Sequence, residues 1–125
     1  MEWYLKVMRD NYANFSGRAR RKEYWMFTLF FTLFFFSSIF IMAILFSSVS
    51  EHTGSLIGGI LIIGLYLTHL VPALAVTVRR LHDTGKSGWF YLLAFIPYIG
   101  GLIIFIFTVI EGDKGDNKYG PDPKA

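Results

Sequence analysis

The sequence predicts an all-α integral membrane protein with three hydrophobic membrane segments and an N-terminal amphipathic helix at the interface. Three observations carry this. First, 54 % of residues are hydrophobic and only 17 % charged, where soluble domains carry about 25 % charged residues. Second, the charge is segregated. Residues 25–46 hold no ionisable side chain, 56–78 hold only Tyr66 and His69, and 89–110 hold only two tyrosines. Third, these runs are 22 or 23 residues long, and a helix crossing a roughly 30 Å hydrocarbon core needs about 20. A soluble core helix would show a polar face every turn, and none of the runs does. The 125 residues form one membrane domain: an interfacial segment 1–24, membrane segments 25–46, 56–78 and 89–110, and a polar tail 111–125.

In the first 24 residues, Met1, Leu5, Met8, Tyr12 and Phe15 are spaced to line one helical face, with Lys6, Arg9, Asp10 and Asn14 off the stripe. That spacing predicts a short helix lying in the membrane interface; packing against the rest of the chain is the alternative. Ser16-Gly17 ends it. Arg18, Arg20, Arg21 and Lys22 then precede Tyr24 and Trp25, a membrane entry point with cations at the headgroups and amphipathic aromatics at the boundary. A nucleic-acid patch is not expected where the cations abut a span.

The Ser47–Ser55 connection is short and carries no Lys or Arg, so segments one and two should form a tight antiparallel hairpin. Lys and Arg number six before the first segment, none in this connection, three in 79–88 and three in the tail. The positive-inside rule then puts the N-terminus and the 79–88 loop in the cytoplasm. The third run contains Pro97 and Gly100-Gly101. Proline removes an internal hydrogen bond and kinks a helix. Either the run is one kinked span, with the tail outside, or it is a re-entrant hairpin, with all twelve cations inside. Irregular backbone at that depth needs cover from protein or water, so the single kinked span is expected.

Residues 79–89, RRLHDTGKSGW, contain two catalytic look-alikes. Asp83-Thr84-Gly85 is the aspartic-protease tripeptide, but that chemistry needs two carboxylates sharing a proton and the chain has one copy. Gly85-Lys86-Ser87 ends like a phosphate-binding loop, but Arg80 stands where the motif's first glycine belongs and no strand precedes it. What remains is a turn rich in Asp, Thr, Gly and Ser. Arg79, Arg80, His82, Asp83 and Lys86 form a polar knot that could bind a lipid phosphate, as Arg18, Arg20, Arg21 and Lys22 could, or dock the acidic tail.

His69 lies inside segment two, three residues before Pro72. An ionisable group in a span is a functional candidate. With no Asp, Glu, Lys or Arg in any span, a structural hydrogen bond is the more economical role. Gly54 and Gly58 have GxxxG spacing, with Gly59 and Gly64 nearby, and small residues let helices approach closely; these mark a packing face within the chain or in a homodimer. Glu51-His52 and His82-Asp83 lie at opposite membrane faces and cannot share a metal. The tail lacks the acidic alternation of a calcium loop. The chain has no cysteine, and neither a cofactor nor an enzymatic activity is expected.

The motifs GRARRKEYW at 17–25, RRLHDTGKSGW at 79–89, IPYIGG at 96–101 and GDNKYGPDPK at 115–124 occur in that order. In this the chain resembles the domain-of-unknown-function 805 family, the YhaH-like inner-membrane proteins of bacteria. The resemblance spans nearly the whole chain. It implies a small multi-pass protein of the bacterial inner membrane and supplies no activity. Two functions are therefore expected as alternatives: a non-enzymatic interaction or membrane-organising protein, whose partners are membrane lipids, a second copy or another membrane protein; or the protomer of an oligomeric transporter or channel.

Overall fold

The computed structural model describes residues 1–124. It is helical, with no strand among the described residues. Helix α1, Glu2–Leu5, runs on through a π-helical turn, Lys6–Asp10. Helix α2, Arg21–Leu45, is followed after a short connection by α3, Glu51–Asp83. A 3₁₀ helix, Gly88–Phe95, and helix α4, Gly100–Val109, complete the order.

Among the described residues, helices α2 and α3 are the two elements long and apolar enough to cross a membrane. The most apolar stretch of α2 has no buried residue at all. Its Phe36 and Phe40 are 64 % and 67 % exposed. In water that surface would be a severe liability; against acyl chains it is the expected solvent contact. The two helices lie antiparallel. Ser50 caps α3 by accepting the Thr53 N–H at 3.3 Å, a standard N-cap bond. Beside it, a Cβ on Gly54 would sit 2.9 Å from the Phe46 carbonyl oxygen, and one on Gly58 would meet Met42. These two glycines thus let α3 approach α2, whereas Gly59 and Gly64 face open space.

Of the apolar stripe expected in the first segment, all but Met8 faces outward. Met1, Leu5, Tyr12 and Phe15 are exposed, while Val7 is buried, with Tyr4 and Met8 packed against its cluster. The helix therefore has two apolar faces, one on α2 and α3 and one turned to the surroundings.

The expectation of a single kinked third span is overturned. The 3₁₀ helix leaves the end of α3, with Gly88 against Val78. The chain reverses at 96–99, and α4 comes back to the end from which it left. A 3₁₀ helix of this length is unusual. It ends before Pro97, which has no N–H to continue it. Tyr98 takes a left-handed φ of 67° in the reversal. Gly100 lies against the Leu93 carbonyl and the Ala94 backbone, so the two arms touch backbone to backbone. The physical reason for the return lies at the far end of α4. The last turn of a helix leaves carbonyls without partners. Here Thr108 O accepts from Trp25 Nε1 and Arg80 Nε, both at 3.2 Å, Val109 O from Arg21 Nη1 at 3.2 Å, and Ile110 O from Arg80 Nη2. All the donors belong to the entry of α2 and the end of α3. The hairpin and the tail are therefore anchored at the same end as the N-terminal segment.

Adjacent glycines test this reversal. A methyl group at Gly100 has no room, and overpacking of this kind costs about 1–3 kcal/mol. One at Gly101 meets nothing, and in a helix alanine is favoured over glycine by up to about 1 kcal/mol. Thermal unfolding in detergent should show Gly100→Ala lowered in Tm and Gly101→Ala unchanged or raised.

Candidate functional site

At the common end, residues far apart in sequence close on one another. Helix α3 stops at Asp83 through a backbone device. Gly85, with φ of 74°, donates its N–H to His82 O at 3.0 Å, and Lys86 donates to Leu81 O at 2.9 Å. This is the paired 5→2 and 6→1 pattern that ends helices on a left-handed glycine. The Asp-Thr-Gly-Lys sequence is thus a helix terminus, and 79–83, expected to lie in the loop, belongs to the helix.

The last turn of α3 presents Arg79, Arg80 and Asp83 inward, each at most 3 % exposed. Asp83 receives two arginines: Arg18 Nε on Oδ1 at 3.0 Å and Arg80 Nη1 on Oδ2. Glu23, on the first turn of α2, receives Arg79 Nη1 on Oε1, and Lys6 Nζ lies 3.6 Å from Oε2. Burying charge costs several kcal/mol per ion unless hydrogen bonds replace the lost water. They do so here through main-chain oxygens. Arg18 donates to Gly115 O, Gly120 O and Asp113 O, Arg80 to Ala19 O, and Arg79 Nε to Asn14 O. Arg79 Nη2 is the one buried side-chain nitrogen or oxygen without a partner among the described residues.

The tail closes the same knot. Asp113 N–H donates to Asp83 O at 2.6 Å. Asn117 Nδ2 donates to His82 O and to Asp113 Oδ2. Tyr119 stacks on His82 with centroids 4.1 Å apart and planes 2° from parallel. His82 Nδ1 reaches Gly17 O at 2.9 Å. Gly112 lies so close to Asp83 that no side chain fits. Farther out, Lys124 bonded to Glu111 holds that carboxyl below the usual range, and the Lys124 and Gly115 N–H groups do the same for Asp122.

The other cations of the sequence-predicted set are elsewhere. Arg20 and Lys22 approach the Trp3 ring, and Lys86 Nζ donates to Thr84 O and lies 4.6 Å from the Phe107 centroid. Arg21 reaches Val109 O from an exposed position. Sequence reading missed Glu23, Asn117 and Tyr119, and had Asp113 only as part of an acidic tail that could dock on the knot. The signal for Glu23 was available: it is the lone acid beside a run of four cations.

His69 is only 5 % exposed and stacks on Phe31 at 4.8 Å. Its Nδ1 lies 2.8 Å from Leu65 O and its Nε2 lies 2.5 Å from Tyr4 Oη. A carbonyl can only accept, so Nδ1 carries the proton and Nε2 accepts from the Tyr4 hydroxyl. Burial raises the Tyr4 pKa, which keeps that hydroxyl protonated. Both ring nitrogens are therefore engaged. Pro72, three residues on, lacks the N–H that would bond Thr68 O. The Tyr12 hydroxyl takes its place at 2.6 Å. Between α2, α3 and the hairpin a cleft of about 380 Å³ opens, lined by Tyr24, Thr28, His69, Thr77, Tyr91 and Ile104 among others.

Known proteins resemble this chain over its whole length. The family described as "Protein of unknown function (DUF805)" matches residues 12–121. The chain is 46 % identical over 134 residues to inner membrane protein YhaI of Escherichia coli (strain K12), covering 99 % of this chain and 97 % of the relative. It is 47 % identical over 125 residues to inner membrane protein YhaH of the same strain, covering 99 % and 98 %. No solved structure matches.

The exchange of Pro72 for a hydrogen-bonding hydroxyl is open to a double-mutant cycle. Tyr12→Phe leaves Thr68 O without its partner and should cost about 1–2 kcal/mol. In a Pro72→Ala background the restored N–H takes that oxygen, and the same change should cost close to nothing. Chemical unfolding of the four proteins measures the difference.

Proposed function

The chain belongs to the DUF805 family, and from that premise we propose that it is a non-enzymatic interaction protein of the bacterial inner membrane, displaying a cationic face in the cytoplasm. The observation that carries the reading is the mutual engagement of the buried charges. Arg18 and Arg80 both bond Asp83, and Arg79 bonds Glu23. A knot so occupied holds structure together and has no free acid, base or nucleophile to offer a substrate. Around it, Arg20, Arg21, Lys22, Lys114 and Lys118 remain at or near the surface. The orientation is supported by charge. All twelve Lys and Arg lie on segments gathered at the knot end, and the α2–α3 connection carries none, which by the positive-inside rule favours a cytoplasmic knot.

A second reading, the protomer of an oligomeric transporter, is favoured by the cleft beside His69 and by the broken hairpin that walls it, since interrupted helices near mid-membrane mark many transport sites.

Two measurements separate the readings. A photo-crosslinker in place of Lys118 should give a discrete adduct with a second copy or another membrane protein in native membranes, and one in place of His52 should not. Strictly monomeric, adduct-free protein at both positions would count against the interaction role. Solute flux into proteoliposomes should be absent; a flux abolished by His69→Ala would establish the second reading instead.

A further inference from the structure

We propose that Lys6, Arg20 and Lys22, gathered around the Trp3 indole, form a headgroup site for an anionic phospholipid. This names one partner for the face described above. It rests on that reading only for the knot end lying at headgroup level.

The three cationic groups come from two different stretches of chain and converge on one ring. Lys6 Nζ, Arg20 Cζ and Lys22 Nζ lie 5.3, 5.6 and 5.5 Å from the Trp3 centroid. The ring faces attract cations, but three like charges around one indole repel one another. The acids facing them do not balance the group. Glu23 is buried, approached by Lys6 and bonded by Arg79. Asp10 is bonded by Arg9. Glu2 is exposed, next to Trp3. Neither Arg20 nor Lys22 has an ion pair among the described residues. An anion placed between them relieves the repulsion and receives donors from several sides.

The setting selects a lipid over a free anion. Trp3 stands where α2 enters its apolar run, the level at which tryptophan collects in membrane proteins. Met1 and Leu5, on the same short helix, are 53 % and 42 % exposed and offer acyl chains a surface next to the cations. A phosphodiester among Lys6, Arg20 and Lys22, with its chains along Met1 and Leu5, satisfies both kinds of surface. Basic clusters beside a membrane span attract anionic lipids by the same physics.

The test is native mass spectrometry of the full chain in mild detergent, titrated with phosphatidylglycerol and with phosphatidylcholine. Phosphatidylglycerol should be retained in preference. Lys22→Gln, an exposed and unpaired position, should weaken it roughly fivefold and K6Q/R20Q/K22Q about a hundredfold, the usual contribution of cations near an anionic surface. The tail triple K114Q/K118Q/K124Q removes the same charge and should leave retention within about twofold. Equal loss in the two triples, no preference over phosphatidylcholine, or full displacement by millimolar inorganic phosphate would each overturn the proposal. Lys22→Gln guards against misfolding of the triple: unchanged retention in it also overturns the site. None of these outcomes depends on crosslinks at Lys118, so the lipid site and the partner-binding role fail separately.

Discussion

Asp83 is the constraint on which the rest of the structure depends. One carboxylate, 1 % exposed, accepts Arg18 from the N-terminal segment and Arg80 from its own helix. Once Arg80 is fixed there, its remaining nitrogens point at the carbonyls of Thr108 and Ile110 and complete the end of α4. Once Arg18 is fixed, its fork holds the carbonyls of Asp113, Gly115 and Gly120. A single buried acid thus binds the entry of α2, the end of α3, the return of the hairpin and the tail. Removing one partner of such a group leaves uncompensated charge and costs about 3–5 kcal/mol. The four motif stretches of the sequence acquire a physical reading: three of them meet in this knot, and the fourth makes the reversal that brings α4 back to it.

The knot also explains a chain with so little interior. The buried hydrophobic cluster is small, Val7, Ala19, Phe27 and Val76, and α2 turns most of its surface outward. In a bilayer, apolar burial supplies little drive for helices to associate. Directional polar bonds at the membrane edge can fix the arrangement instead. His69 with Tyr4, and Tyr12 with the carbonyl freed by Pro72, act likewise deeper in the helices.

The spans were legible because charge segregation is a local property that hydropathy reads directly. Gly54 and Gly58 were legible as packing positions for the same reason. The fate of 89–110 was not, because a kinked span and a returning hairpin have the same composition. What decides between them is Arg80 finding Thr108 and Ile110, a pairing across about thirty positions that no local pattern encodes; the break at Pro97 and Gly100-Gly101 and the gathering of all twelve cations on one side were the hints. The amphipathic stripe was found but not its direction: Met1 and Leu5 face outward because Tyr4 and Val7 have closer partners in Phe27 and Val76. The surface cations and the structural ones could not be separated by sequence either, since Arg18 and Arg20 differ only in which lies opposite Asp83.

The central claim is that the tail returns to the end of the molecule where the chain begins. The chain has no cysteine, so single cysteines replacing Asp10, His52 or Lys118 report their own side of the membrane to an impermeant maleimide in intact and permeabilised cells. The account predicts that the Asp10→Cys and Lys118→Cys proteins label together and that His52→Cys labels from the opposite side. Labelling of Lys118→Cys together with His52→Cys would contradict it.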